Sequence, residues 1–97
     1  MMSNAKFDPL IHAQNRLHIC ALLAATAELE FKVLREQLDV SDSVLSKNLK
    51  SLEDANYVVL AKRTSMGRQH TWLSLTALGR TAYGGHVKML KEIVGEQ

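Results

Sequence analysis

Apolar residues near the start of the chain recur at helical steps. Leu10, Ile11, Ala13, Leu17, Cys20, Ala21 and Leu23 fall on one side of a 3.6-residue period. Asp8 suits the N-cap, and Pro9 suits the first helical position, where its missing N–H would have no partner anyway. The spacing predicts one helix that fades near Ala25. Residues 28–31 predict a small strand or an extended entry. In the next helix Val33, Leu34 and Leu38 point inward, while Lys32, Arg35, Glu36 and Gln37 point outward. Residues 39–41 make a tight turn, and Ser41 or Asp42 caps a third helix. Its inward positions are Leu45, Leu49 and Leu52. Asn56 suits a left-handed C-cap, a conformation Asn tolerates better than most residues.

The period then shortens. Residues 57–63 are rich in β-branched and aromatic side chains, among them Tyr57, Val58 and Val59. Residues 64–69 form a polar stretch around Gly67 and predict a hairpin loop. Residues 70–75 alternate, with Thr71, Leu73 and Leu75 on one face and Trp72 on the other. Thr76 caps a last helix carrying Leu78, Ala82, Tyr83, Val87, Leu90 and Val94 at helical steps. That stripe is longer than the core of one small domain needs.

Ninety-seven residues make one domain, with 1–7 expected to be a flexible N-terminus and 8–97 the folded unit. Hydrophobic residues at 46% against 23% charged describe an ordinary globular chain. The apolar stretch 19–27 is too short to span a bilayer, and 1–7 has no signal-like apolar run. No membrane partner is expected, and the cytoplasm is the expected compartment. A single cysteine, Cys20, agrees with reducing surroundings.

Net charge is only +2, but the segment 43–80 carries six bases, Arg80 among them, against Glu53 and Asp54, a net +4. A local basic face is what phosphate contact requires. His12, His18, His70 and His86 do not stand at metal-ligand spacing, and Cys20 stands alone, so no metal and no cofactor are expected. There is no nucleophile–base–orienter set, phosphate loop or carboxylate pair, and hence no catalytic residue and no enzyme.

The run from Leu38 to Val58, LDVSDSVLSKNLKSLEDANYV, resembles the turn and third helix of the winged helix-turn-helix regulators of the MarR and ArsR type. The block Leu73-Ser74-Leu75-Thr76-Ala77-Leu78-Gly79-Arg80 resembles that family's strand-to-helix junction. Asn15-Arg16-Leu17-His18-Ile19 resembles its first helix. The likeness runs from Asp8 to the C-terminus and is greatest to the short, single-domain branch. Asn56 stands where the family usually has Gly, and Lys47 where Arg is commoner. Lys is a point charge where Arg can bind guanine bidentately.

The resemblance implies a mainly helical α+β fold: a three-helix core, a β-hairpin wing and a C-terminal dimerisation helix. It implies a transcriptional regulator, a repressor, that binds double-stranded DNA as a homodimer. The third helix would enter the major groove. Asp42, Ser43, Val44, Lys47, Asn48, Lys50 and Ser51 are then left facing outward. Ser43 suits a base edge, Val44 a thymine methyl, Asn48 an adenine, and Lys47 a guanine or a phosphate; Ser46 and Lys50 suit the backbone. Lys62, Arg63, Arg68, Gln69 and His70 flank the hairpin tip, and Arg68 is the candidate for the minor groove. The dimer would join Ala82, Tyr83, Val87, Leu90 and Val94 to Leu10 and Leu17 across a two-fold axis. The rival readings are a winged-helix module that binds protein instead of DNA, and an RNA-binding winged helix. No effector is assigned.

Overall fold

The computed structural model describes residues 4–95, so residues 1–3 of the expected N-terminal segment and 96–97 of the folded unit lie outside the described residues. The order is α1 (Pro9–His12), α2 (Gln14–Ala24), β1 (Leu29–Glu30), α3 (Phe31–Leu38), α4 (Asp42–Asp54), β2 (Val58–Ser65), β3 (Arg68–Leu75) and α5 (Ala77–Val94). The strands form an antiparallel sheet in the order β1-β3-β2. This is the winged helix expected from the sequence. Ile19, Cys20 and Leu23 of α2 meet Leu34 of α3 and Leu45, Leu49 and Leu52 of α4 in one core. Val58, Leu73 and Leu75 close it from the sheet.

Local chemistry starts and stops the elements. Ser41 Oγ accepts the Val44 amide at the start of α4, and Thr76 Oγ1 accepts the Gly79 amide at the start of α5. α3 ends on Asp39 in the left-handed region at φ 54°, and Asn56 takes the same conformation at φ 63° just past α4. These agree with the expected turn and cap.

Three expectations need correction. The first helix is two: the chain turns extended at Ala13 (φ −60°, ψ 136°) between α1 and α2. Arg16 stabilises the break, because its Nε donates to the freed Leu10 carbonyl at 2.6 Å. The hairpin loop is shorter than 64–69. Both strands run to its tip, and only Met66 and Gly67 turn, at φ 52° and 77°. Two successive positive φ values make the tight turn that matches strand twist. Finally, Val33 is 40% exposed and leaves the inward face of α3 to Leu34 and Leu38.

Residues 4–7 lie against α5. The Lys6 amide donates to Gly85 O at 2.9 Å, and the Phe7 ring meets His12 and His86 at 4.8 Å. Asp8 joins three parts of the chain. Its Oδ1 caps α1 by accepting from the Leu10 and Ile11 amides, and its Oδ2 accepts the Tyr57 hydroxyl at 2.6 Å. Its own N–H donates to Nδ1 of the fully buried His86 at 3.0 Å. That bond sets the tautomer: neutral His86 carries its proton on Nε2 and donates it to His12 Nδ1 at 3.1 Å.

α5 narrows the expected dimer surface. Ala82 and Tyr83, like Leu10 and Leu17 opposite, pack on the chain's own core. Val87 and Leu90 are half-buried, whereas Ile93 and Val94 are 63% and 73% exposed. At its other end, α5 approaches the chain so closely that only glycine fits. A Cβ on Gly79 would sit 2.1 Å from Tyr57 O. A Cβ on Gly84 would meet nothing within 4 Å.

Two outcomes are expected. Gly79→Ala should lower stability by about 1–3 kcal/mol or more, as overpacking does, while Gly84→Ala should raise it by about 0.5–1 kcal/mol because mid-helix glycine is costly. Urea denaturation of both variants checks this. The second concerns pH. Burial, and then the neighbouring His12, hold the His86 pKa below its ordinary 6.5. Below that value the unfolded chain binds the extra proton more readily than the folded one. Stability is therefore full above about pH 6.5 and falls as the pH drops towards the folded value. Protonated His86 would turn an N–H towards the Asp8 N–H. His86→Gln, whose carbonyl accepts that amide without titrating, should flatten the slope between pH 6.5 and 5 in denaturation curves.

Candidate nucleic-acid interface

The outward face of α4 follows from its inward one. With Leu45, Leu49 and Leu52 buried, Ser43, Val44, Ser46, Lys47 and Lys50 are exposed. Val44 holds an apolar surface in solvent at 39% exposure. Lys47 has no side-chain partner among the described residues. Ser43 Oγ lies 3.2 Å from the capping Ser41 Oγ, and Ser51 Oγ donates to the Lys47 carbonyl within the helix. Asp42 pairs with Arg35 of α3 at 2.9 Å, which ties the two helices of the helix-turn-helix together. Lys50 pairs with Asp54 one turn on, and that pairing raises its pKa.

Asn48 departs from its expected place. It follows Leu45 by three residues and precedes Leu49, so it lies on the flank of the buried stripe and is half-buried. Its Oδ1 accepts from Arg16 Nη1 at 3.2 Å, and its Nδ2 donates to the Val44 carbonyl at 2.9 Å. The amide expected at an adenine edge is engaged within the protein.

The wing divides in the same way. Lys62, Arg68 and Gln69 are exposed and without a side-chain partner among the described residues. Arg68 stands in β3 directly after the turn, opposite Ser65. Arg63 pairs with Glu28 at 2.7 Å, and its guanidinium lies 4.6 Å over the Trp72 ring. His70 Nδ1 lies 2.6 Å from Glu30. Arg80, counted above among the bases of 43–80, donates to the carbonyls of Ala24 and Thr26 at the end of α2. Three cations of that segment are therefore free: Lys47, Lys62 and Arg68.

Sequence spacing had no means of finding Arg16, Arg35, Glu28 or Glu30, since each meets its partner only across the fold. Nor did it pair His12 with His86, which stand 74 positions apart. Among the described residues no three His, Cys, Asp or Glu side chains group as metal ligands. Burial, and then Asp8, push the Cys20 thiol up to about 12, so it is not a ready thiolate. No described helix is long and apolar enough to cross a membrane.

Comparison with known proteins agrees with the geometry. A family model described as a winged helix DNA-binding domain matches residues 15–94. The chain is 35% identical over 72 residues to the uncharacterized protein MJ0432 of Methanocaldococcus jannaschii, covering 74% of this chain and 78% of that one. Among solved structures, it is similar to a transcriptional regulator homologue from Pyrococcus horikoshii OT3. The TM-score is 0.84 at 21% identity, over 89% of this chain and 85% of that one. It is also similar to the adhesin competence repressor AdcR of Streptococcus pyogenes. There the TM-score is 0.68 at 25% identity, over 86% of this chain and 60% of that one. The first of these is named a transcriptional regulator homologue and the second a repressor.

Proposed function

Since the chain belongs to the winged helix DNA-binding domain family, we propose that it is a sequence-specific regulator of transcription that binds double-stranded DNA. It acts as a homodimer, as a repressor, and in the cytoplasm, with residues 8–97 as one DNA-binding unit. The observation that carries this reading is the set of unpaired groups on α4 and the wing. Lys47 stands free on α4 beside exposed Val44, and Lys62 and Arg68 stand free on the hairpin. Charges left unpaired on a groove-sized helix and a two-stranded ribbon suit phosphates.

α4 lies in the major groove. Ser43 and Val44 meet base edges, Val44 at a thymine methyl, and Lys47 reaches a guanine or a phosphate. Ser46, Lys50 and Ser51 face the backbone, with Lys50 exchanging Asp54 for phosphate. Exposed ion pairs contribute little in water, so this exchange costs little. By the same reasoning Arg63 gives up Glu28 where a phosphate comes close; His70, half-buried on Glu30, stands beside it. Arg68 enters the minor groove, with Lys62 and Gln69 beside it. The repressor reading draws on the likeness to AdcR, which is named a repressor. The dimer forms through the exposed end of α5, with Leu90, Ile93 and Val94 at its centre, and through Val87.

Two measurements test this. In fluorescence anisotropy across a salt series, Arg68→Ala should weaken preferred and random duplexes alike and lower the salt slope by about one. Val44→Ala should instead cost roughly 1 kcal/mol of discrimination at a single thymine. Binding to no duplex at any salt would give the reading to a protein-interaction module. In sedimentation at micromolar concentration the native chain should be a dimer. Val94→Lys, which touches no core residue, should shift it to monomer; a native monomer would refute the dimer.

A further inference from the structure

Arg16 lies outside every element expected to touch DNA, yet it reaches the helix proposed to read it. From the first turn of α2 its Nε donates to the Leu10 carbonyl at 2.6 Å, which anchors the guanidinium at the break between α1 and α2. Its Nη1 then donates to Asn48 Oδ1 at 3.2 Å. The other end of the Asn48 amide donates to Val44 O at 2.9 Å. An Asn side chain recognises adenine by presenting its carbonyl and its NH2 together, one to N6 and one to N7. In this structure each half already makes one hydrogen bond within the protein, and the two together fix which way the amide points.

We propose that Arg16 is a specificity-determining residue that acts through Asn48: it holds an adenine-reading amide away from the major groove and leaves the reading to Ser43, Val44 and Lys47. The proposal rests on the DNA-binding reading above. The lock holds because of what opening it would lose. A hydrogen bond to a charged donor is comparable in strength to a good side-chain–base pair. If Asn48 swung out, it would give up its bond to the half-buried Arg16 guanidinium for a gain of similar size. The native chain thus has little net preference for adenine through Asn48. Arg16 touches no base in this account; it is a positioning residue, and base preference is the readout that a purely structural role would not move.

The test selects half-sites from random duplexes with four proteins: the native chain, Arg16→Met, Asn48→Ala and the double variant. Met keeps much of the aliphatic length of Arg16 and removes its donors. Arg16→Met is expected to gain at least about a fivefold preference for adenine at one position of the half-site. The double variant should lose that gain, and Asn48→Ala alone should select the same bases as the native chain. Asn48→Ala removes no core group and so tests the lock even where Arg16→Met folds poorly. The proposal is overturned if Asn48→Ala alone costs the native chain fivefold or more at an adenine, since Asn48 then reads DNA without release. It is equally overturned if folded Arg16→Met selects the native bases. If the native chain selects no sequence at all, the DNA-binding reading itself fails, and this inference falls with it.

Discussion

Three distant parts of the chain meet at Asp8. One carboxylate oxygen caps α1, the other holds the Tyr57 hydroxyl, and the backbone N–H is held by buried His86 of α5. The carboxylate raises the Tyr57 pKa to about 12, so the hydroxyl stays a donor throughout the neutral range. Tyr57 is held a second time through its backbone: its carbonyl accepts the Thr76 amide, and Gly79 leaves room for that carbonyl against α5. Tyr57 directly follows the turn that ends α4. Its two anchors therefore set where α4 ends and where the wing begins, relative to the helix that carries the proposed dimer surface.

The face proposed for DNA is defined largely by what the protein has already used. Cations with a partner inside the molecule perform structural work: Arg80 closes the end of α2, Arg35 joins α3 to α4, and Arg16 secures the break before α2. Arg63 is a mixed case. Its ion pair with Glu28 is exposed and weak, while the Trp72 ring gives its guanidinium a second support. Trp72 thus supports a wing cation. The cations of β2 also protect the sheet, because Lys62 and Arg63 stand on its free edge strand and discourage pairing with another strand.

Much of the fold was legible along the chain. The Leu45, Leu49 and Leu52 stripe, the caps on α4 and α5 and the left-handed Asn56 all stand where the pattern put them. The break at Ala13 was not legible, because apolar spacing continues through it and no local residue forbids a helix there. The wing was read short for a related reason. Both its faces are polar near the tip, so the alternation that marks a strand disappears while the backbone ladder continues to Ser65 and Arg68.

By itself the sequence determined the order of the elements from β1 to α5, the caps of α4 and α5 and the outward face of α4 as a surface. These depend on backbone preferences and on periodicities that act within a few residues. Only the tertiary structure decided which polar side chains on those surfaces remain free. Asn48 accepts from a residue 32 positions earlier, His86 accepts from an amide 78 positions away, and Leu10, Leu17, Ala82 and Tyr83 were drawn into the chain's own core. Such pairings depend on where packed helices bring side chains together, and a hydrogen bond a few ångströms long responds to that packing and not to separation along the chain.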